Sequence, residues 1–328
     1  MRLPGEPGVG LQWARNGWSE RDADAVAPVR GETLHPGQPR SRSRSPVLIH
    51  GESVGALGLG TAQLAFTEID RAQAVRTVHA ALDAGVRLID TALAYNRPGR
   101  SSYAEETVRR ALSDRPPGEA FVATKGGHYR AGDEFPIDGR PDALRRDCET
   151  SLRELGVERI DLYQLHHVDP AVPFEDSVGA LEELRRGGKI AQVGLSNVTL
   201  DLIDRARSIT DVATVQNRLS VSRPSDLGIA RSCAERGIVY LAYSPLEGTG
   251  ADGGEGRMRV ARRLGVSPQR VALAWLIAQS PNILPLVGAS RPETIEDSAG
   301  AALLRLDAAD LAAISGDSRP TRSPESPS

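Results

Sequence analysis

The sequence predicts an α/β protein, a (β/α)8 TIM barrel with an N-terminal hairpin at the bottom. Three observations predict it. From Val47 onward, apolar strand-like segments and helix-like segments alternate through eight units, and roughly 270 residues is what one such barrel occupies. The strands are apolar along their whole length, as expected for parallel strands covered on both faces. Polar residues gather where those strands end, which is where barrels of this class carry their chemistry. A doubly wound sheet shares the alternation and is the competing architecture; it would lack a closing contact between the first and last strands.

Residues 1–45 are rich in Gly, Pro, Arg and Ser, include the run SRSRS at Ser41 to Ser45, and show no sustained period. They are expected to form a disordered extension. Residues 46–316 are expected to form the barrel, and residues 317–328 a second disordered tail. The extension holds no apolar core of the kind a signal peptide needs. No run approaches the ~20 apolar residues that span a bilayer. A formal charge of −3 argues against a general nucleic-acid or membrane surface. Cys148 and Cys233 are too few for a secreted disulfide framework, and both fall in expected helices. A cytoplasmic location follows as the expectation.

VLIHGESVGALGLGTA, beginning at Val47, reads as a hairpin followed by a first barrel strand over 57–61. Gly55, Gly58 and Gly60 lack the spacing of a dinucleotide fingerprint, and no helix opens where that motif requires one. A helix is expected over 70–84, stopped by Gly85. Strand 87–92 follows, then helix 102–114, ended by Pro116 and Pro117. Strand 121–125 leads into a longer loop, 126–139, that carries His128 and Tyr129. Helix 141–155 stops at Gly156, and strand 160–166 follows. The alternation continues with helix 174–186, strand 190–196, helix 200–208, strand 213–216, helix 225–235 and strand 239–244. A helical region over 257–279, with a break expected at Ser267-Pro268, precedes strand 283–288. Helix 292–303 and a short helix near 308–314 complete the chain.

The stretch Leu88 to Tyr95, LIDTALAY, runs an apolar strand into Asp90 and places a phenol five residues later. An isolated Tyr is most often a packing residue. Here its partner matters more. Of 40 basic residues only Lys125 and Lys189 are lysines, so each is informative. Lysine can shift its pKa and take part in proton traffic, whereas arginine stays protonated. Lys125 ends the strand FVATK. Lys189 lies in a helix-to-strand turn at the opposite face and reads as solvated. The other strand ends carry His166, Ser196-Asn197, Gln216, Tyr243-Ser244 and the run Gly288 to Arg291.

Asp90, Tyr95, Lys125 and His166 form a coherent chemical set. A phenol with an unperturbed pKa near 10 is a weak acid at neutral pH. An adjacent ammonium is expected to lower that value, Asp90 to hold the ammonium charged, and His166 to donate a hydrogen bond to a substrate oxygen. Together they can deliver a proton to a developing alkoxide. Other readings stand beside these. Gln216-Asn217 also fits a plain turn, and Ser290-Arg291 fits a helix N-cap with a solvated charge. His166, His167 and Asp169 suggest a metal site, but neighbours on a strand point to opposite faces, so no metal is expected and His167 reads as an outer loop residue. Few Trp or Phe fall near the rim, which suggests a pocket not specialised for flat hydrophobic rings.

The chain resembles the aldo-keto reductase family from about Val47 to Leu306, through LGLGTAQL, LIDTALAY, VATKGG, DLYQLHHVD, GKIAQVGLSN, VQN, YSPL and LVGASRPE. The resemblance implies that Asp90, Tyr95, Lys125 and His166 are the catalytic tetrad. It implies NADPH as cofactor, bound across the rim without a Rossmann domain. Ser196, Asn197 and Gln216 would hold the carboxamide, Tyr243 would stack on the nicotinamide, and Ser290 and Arg291 would meet the 2′-phosphate, which suits the guanidinium fork. Gly60, Thr61, Ser244, Pro245, Leu246 and Gly288 would line the remaining cofactor path, with Asp297 and Ser298 near the adenine. There the family commonly has Glu-Asn, so the adenine contacts are where this chain departs. The loop 246–256 is short and Gly-rich, which implies freer cofactor exchange. The implied activity is reduction of a small aldehyde or ketone, with neither nucleic acid nor membrane as partner. The alternative is a regulatory barrel that keeps cofactor but turns over little. An isomerase or lyase on the same barrel would need a phosphate-gripping loop or a metal.

Overall fold

The computed structural model describes residues 46–97, 102–132, 134–249 and 254–316. Eight parallel strands close into a barrel: β3 (Gly58–Gly60), β4 (Leu88–Asp90), β5 (Phe121–Gly126), β6 (Ile160–Leu165), β7 (Ile190–Ser196), β8 (Val212–Arg218), β9 (Val239–Tyr243) and β10 (Ile283–Gly288). β10 pairs in parallel with β3, Leu286 opposite Gly58 and Gly288 opposite Gly60. That contact excludes the doubly wound alternative. The expected terminal disordered segments, 1–45 and 317–328, lie outside the described residues.

The hairpin β1 (Val47–Ile49) and β2 (Glu52–Gly55) turns through His50 and Gly51, both with positive φ. Its Val47, Ile49 and Val54 are buried in one cluster with Leu88, Phe121, Leu162, Val239, Leu284 and Leu286. Leu88 and Phe121 are the first residues of their strands, so the hairpin closes the bottom. Pairs two apart in a strand share a face. Leu88 and Asp90, Phe121 and Lys125, and Leu162 and Gln164 therefore point the same way. The barrel interior is apolar below and polar above.

The helices form the outer layer. Asp70 caps α2 (Arg71–Asp83) by accepting from the Gln73 amide at 2.6 Å. Helices α4 (Pro141–Leu155), which ends at Gly156 in the left-handed region, and α5 (Phe174–Arg186) lie where the pattern places them. The region over 257–279 is two helices, α8 (Glu255–Leu264) and α9 (Pro268–Gln279), divided at Gly265 and capped anew by Ser267. A short helix, α1 (Ala62–Phe66), follows β3 directly and was not anticipated. Its five residues are too few to show a helical period. No helix among the described residues is long and apolar enough to cross a membrane.

Candidate active site

Asp90 is the last residue of β4, and its carboxylate faces the upper barrel. The Lys125 ammonium, from β5, donates to Asp90 Oδ2 at 2.6 Å and to the Thr91 carbonyl at 2.9 Å. It also lies 3.4 Å from the Tyr95 hydroxyl. Lys125 is fully buried, and burial alone would strip its charge; the Asp90 carboxylate and Tyr95 more than offset that and hold the ammonium above its ordinary range. The other carboxylate oxygen, Asp90 Oδ1, accepts from the amides of Gln216 at 2.8 Å and Gln164 at 3.2 Å. Gly194 leaves room for this arrangement: a Cβ there would meet Thr214 Oγ1 at 2.4 Å and Gln164 Cγ at 2.7 Å.

Tyr95 stands in the loop after β4, where the Ala104 amide donates to its carbonyl at 3.0 Å. Arg97, two residues on, donates to four backbone carbonyls, of Leu64, Ala65, Thr67 and Ile69, at 2.9–3.2 Å. Its guanidinium lies 3.9 Å from the Tyr103 ring centroid. These contacts tie the loop that carries Tyr95 to the end of α1. The expected lowering of the Tyr95 pKa is not the net result. Burial raises the phenol above 10.0, and the nearby ammonium offsets only part of that. The resting side chain is a protonated phenol with a cation beside it.

His166 follows β6, its ring edge-on to Tyr95 at 5.8 Å between centroids. Burial, then the Lys125 charge, holds the imidazole well below its usual range, so it is neutral. The expectation that His167 points away from His166 is wrong. The two rings stack, with centroids 5.1 Å apart and planes 19° apart. β6 ends at Leu165, so strand alternation no longer applies to this pair. His128 meets both rings edge-on, at 4.7 and 4.6 Å. The expectation of a rim poor in aromatic rings also fails. Phe66 lies 5.8 Å from Tyr95 and 6.1 Å from Phe135, with the Arg130 guanidinium 5.4 Å from Phe66. The two phenylalanines are 69 positions apart in sequence and converge only in the fold.

Several expected cofactor positions lie along the same rim. Thr61, next to Gly60, donates through amide and hydroxyl to the Asp90 carbonyl, at 2.9 and 3.1 Å. Ser196 Oγ donates to the Gln216 carbonyl at 2.9 Å. Asn197, at φ 60°, donates to the His166 carbonyl at 3.0 Å and accepts from the Tyr243 hydroxyl at 2.8 Å. Ser244, with φ 50°, turns the chain into Pro245 and Leu246. Gln216, expected at a carboxamide, has its amide on Asp90. On the far side, the Ser290 carbonyl accepts from Gln73 at 2.9 Å, just beyond Gly288. Arg291 stands at the N-cap position of α10 (Pro292–Ala299) without a side-chain capping bond, and its guanidinium has no hydrogen-bond or salt-bridge partner among the described residues. Asp297 and Ser298, expected near the adenine, both have partners within the chain. Ser298 is buried with its hydroxyl on the Thr294 carbonyl at 2.8 Å. Asp297 is paired with Arg270 at 2.9 Å and also accepts from Ser267.

A closed eight-stranded barrel with a buried Asp–Lys–Tyr chain and a neutral histidine at the strand C-termini defines an oxidoreductase of the aldo-keto type. The chain belongs to the aldo/keto reductase family, whose sequence model matches residues 56–259 and 255–316. It is 33% identical over 239 residues to an uncharacterized oxidoreductase of Schizosaccharomyces pombe, covering 72% of this chain and 76% of that one. It is 32% identical over 283 residues to the pyridoxine 4-dehydrogenase of Escherichia coli, covering 82% and 96%. Among solved structures, the glycerol dehydrogenase AKR11B4 from Gluconobacter oxydans superposes with a TM-score of 0.74 at 27% identity, covering 88% of this chain and 100% of that one. An aldo-keto reductase from Klebsiella pneumoniae in complex with NADPH gives 0.71 at 25% identity, covering 86% and 97%.

Proposed function

We propose that this protein reduces an aldehyde or ketone to the alcohol with NADPH, Tyr95 giving the proton. The observation that carries the reading is the Asp90–Lys125–Tyr95 chain, with contacts of 2.6 and 3.4 Å. Bound NADPH supplies the hydride. Tyr95 holds the proton for the developing alkoxide, and neutral His166 orients the carbonyl oxygen beside it. Lys125 keeps positive charge next to the phenol as it gives up its proton, and Asp90 with its two amide donors fixes that lysine. The rim fits the cofactor at two ends. Tyr243 offers a ring, anchored through its hydroxyl, on which a flat nicotinamide can stack. Arg291 offers a guanidinium free for a phosphate.

The test is loss of NADPH absorbance with a panel of aldehydes, repeated with Tyr95→Phe. Turnover that disappears in the variant while NADPH still binds supports the assignment. Unchanged turnover in the variant overturns Tyr95 as the acid. Cofactor binding with no turnover of any aldehyde or ketone leaves the regulatory reading instead.

A further inference from the structure

Three imidazoles, His128, His166 and His167, present one ring nitrogen each within 4.8 Å of the others. His128 and His166 are each 7% exposed, and the Nδ1 atoms of both are buried without a hydrogen-bond partner. A buried polar atom left unpaired has a cost, and in a native structure it calls for an unseen partner.

His128 has a further feature. Its Nε2 lies 3.0 Å from the Phe135 carbonyl, an acceptor only, so Nε2 carries the hydrogen and Nδ1 the bare lone pair. Metal-binding histidines are oriented in this way, the second nitrogen donating to a backbone carbonyl. The residues on either side of His128 are tethered too. The Gly127 amide and the Tyr129 hydroxyl both donate to Asp147, at 2.8 Å. His128 is thus held in place, while His167 is partly exposed and makes no hydrogen bond.

We propose that His128, His166 and His167 form a binding site for a divalent transition ion of zinc type at the substrate mouth. Imidazole is a ligand suited to zinc, copper and nickel, and a three-histidine set leaves a fourth position open. Zinc–nitrogen bonds of about 2.0–2.1 Å at a tetrahedral angle place two ligands of one ion about 3.3–3.4 Å apart. The widest nitrogen pair must therefore close by about 1.4 Å, through rotation of the stacked rings. His166 belongs to both sites: the ion takes its Nδ1, and the hydrogen left on Nε2 is the one available to a carbonyl oxygen. That second role rests on the reductase reading; the binding itself does not.

The experiment titrates the full chain with Co2+, following its visible absorption, and with Zn2+ by calorimetry, for wild type, His167→Asn and His128→Asn. The expected result is one ion per chain with a tetrahedral cobalt spectrum, and affinity at least tenfold weaker in each variant. His167→Asn changes a partly exposed side chain without a hydrogen bond, so it keeps the fold, which circular dichroism checks. No cobalt spectrum in the wild type, or a spectrum and affinity retained in both variants, overturns the site. Neither readout uses turnover. An inactive protein that still binds cobalt through these residues keeps the site and removes only the reductase reading.

Discussion

Gln216 Nε2 reaches across the barrel to Asp90 Oδ1 at 2.8 Å, joining residues 126 positions apart. Gln164 makes a second bond to the same oxygen, so one carboxylate is held by two neutral amides on one side and an ammonium on the other. Lys125 is aimed at Tyr95 because Asp90 is not free to rotate.

Gln164→Leu removes one of those donors and leaves the other. A lost hydrogen bond to a charged group costs about 1.5–3 kcal/mol. If that loss falls on the transition state, kcat drops roughly tenfold or more while KM stays within about twofold. Steady-state kinetics with one aldehyde checks this. An unchanged kcat would show that Gln216 alone orients the carboxylate.

Tyr95→Phe keeps the ring against Phe66 and removes the proton. General acids contribute roughly 10²–10⁴ in rate, and a loss in that range is expected. NADPH affinity, followed by fluorescence quenching, should stay close to wild type.

The pH profile follows from the sign of the Tyr95 shift. Burial pushes the phenol above 10.0 even with Lys125 beside it. Reduction needs the protonated form, so kcat should be level from about pH 6 to about 9 and fall only above 10. A fall centred near pH 7 would mean that some other group gives the proton.

Arg291→Ala should weaken NADPH by about tenfold or more and leave NADH nearly unaffected, because only NADPH carries the 2′-phosphate. Equal losses for the two nucleotides would remove the phosphate assignment.

Glu182, on α5, accepts from Arg185, Arg186 and the Thr210 hydroxyl at 2.7–2.9 Å. Chiefly through Arg185, against the opposing effect of burial, its carboxyl is held down to about 2. A depressed folded-state pKa stabilises above the ordinary value, 4.5, and that contribution is lost as pH falls toward 2. Glu182→Gln should cost ~1–2 kcal/mol near pH 7, with the difference from wild type shrinking between about pH 5 and about pH 2. Urea melts at several pH values read this directly.

The barrel was legible because its strands are covered on both faces, so runs such as Ile283 to Gly288 carry no polar interruption until they end. The set Asp90, Tyr95, Lys125 and His166 was legible for a related reason: ionisable residues stand out where an apolar strand stops. Gln164 was hidden inside a strand, and an uncharged amide there has no period to betray it. Its neighbours DLYQL do contain the one polar side chain on an apolar inward face, and that was the available signal. The stacking of His166 on His167 was missed because a period of two was carried one residue past the end of β6. The burial of Ser298 was not legible because a motif position does not reveal which face of α10 packs inward. The convergence of Phe66 and Phe135 depends on α1 and on the bridge between His128 and Ile137, neither of which a local pattern announces.

The hairpin of Val47–Ile49 and Glu52–Gly55 sits at the pole of the barrel opposite Tyr95. A tether or reporter grafted immediately ahead of Val47 would therefore emerge at the pole away from the Asp90–Lys125–Tyr95 cluster. Immobilising the protein through that point would present the Tyr95 rim to the solution.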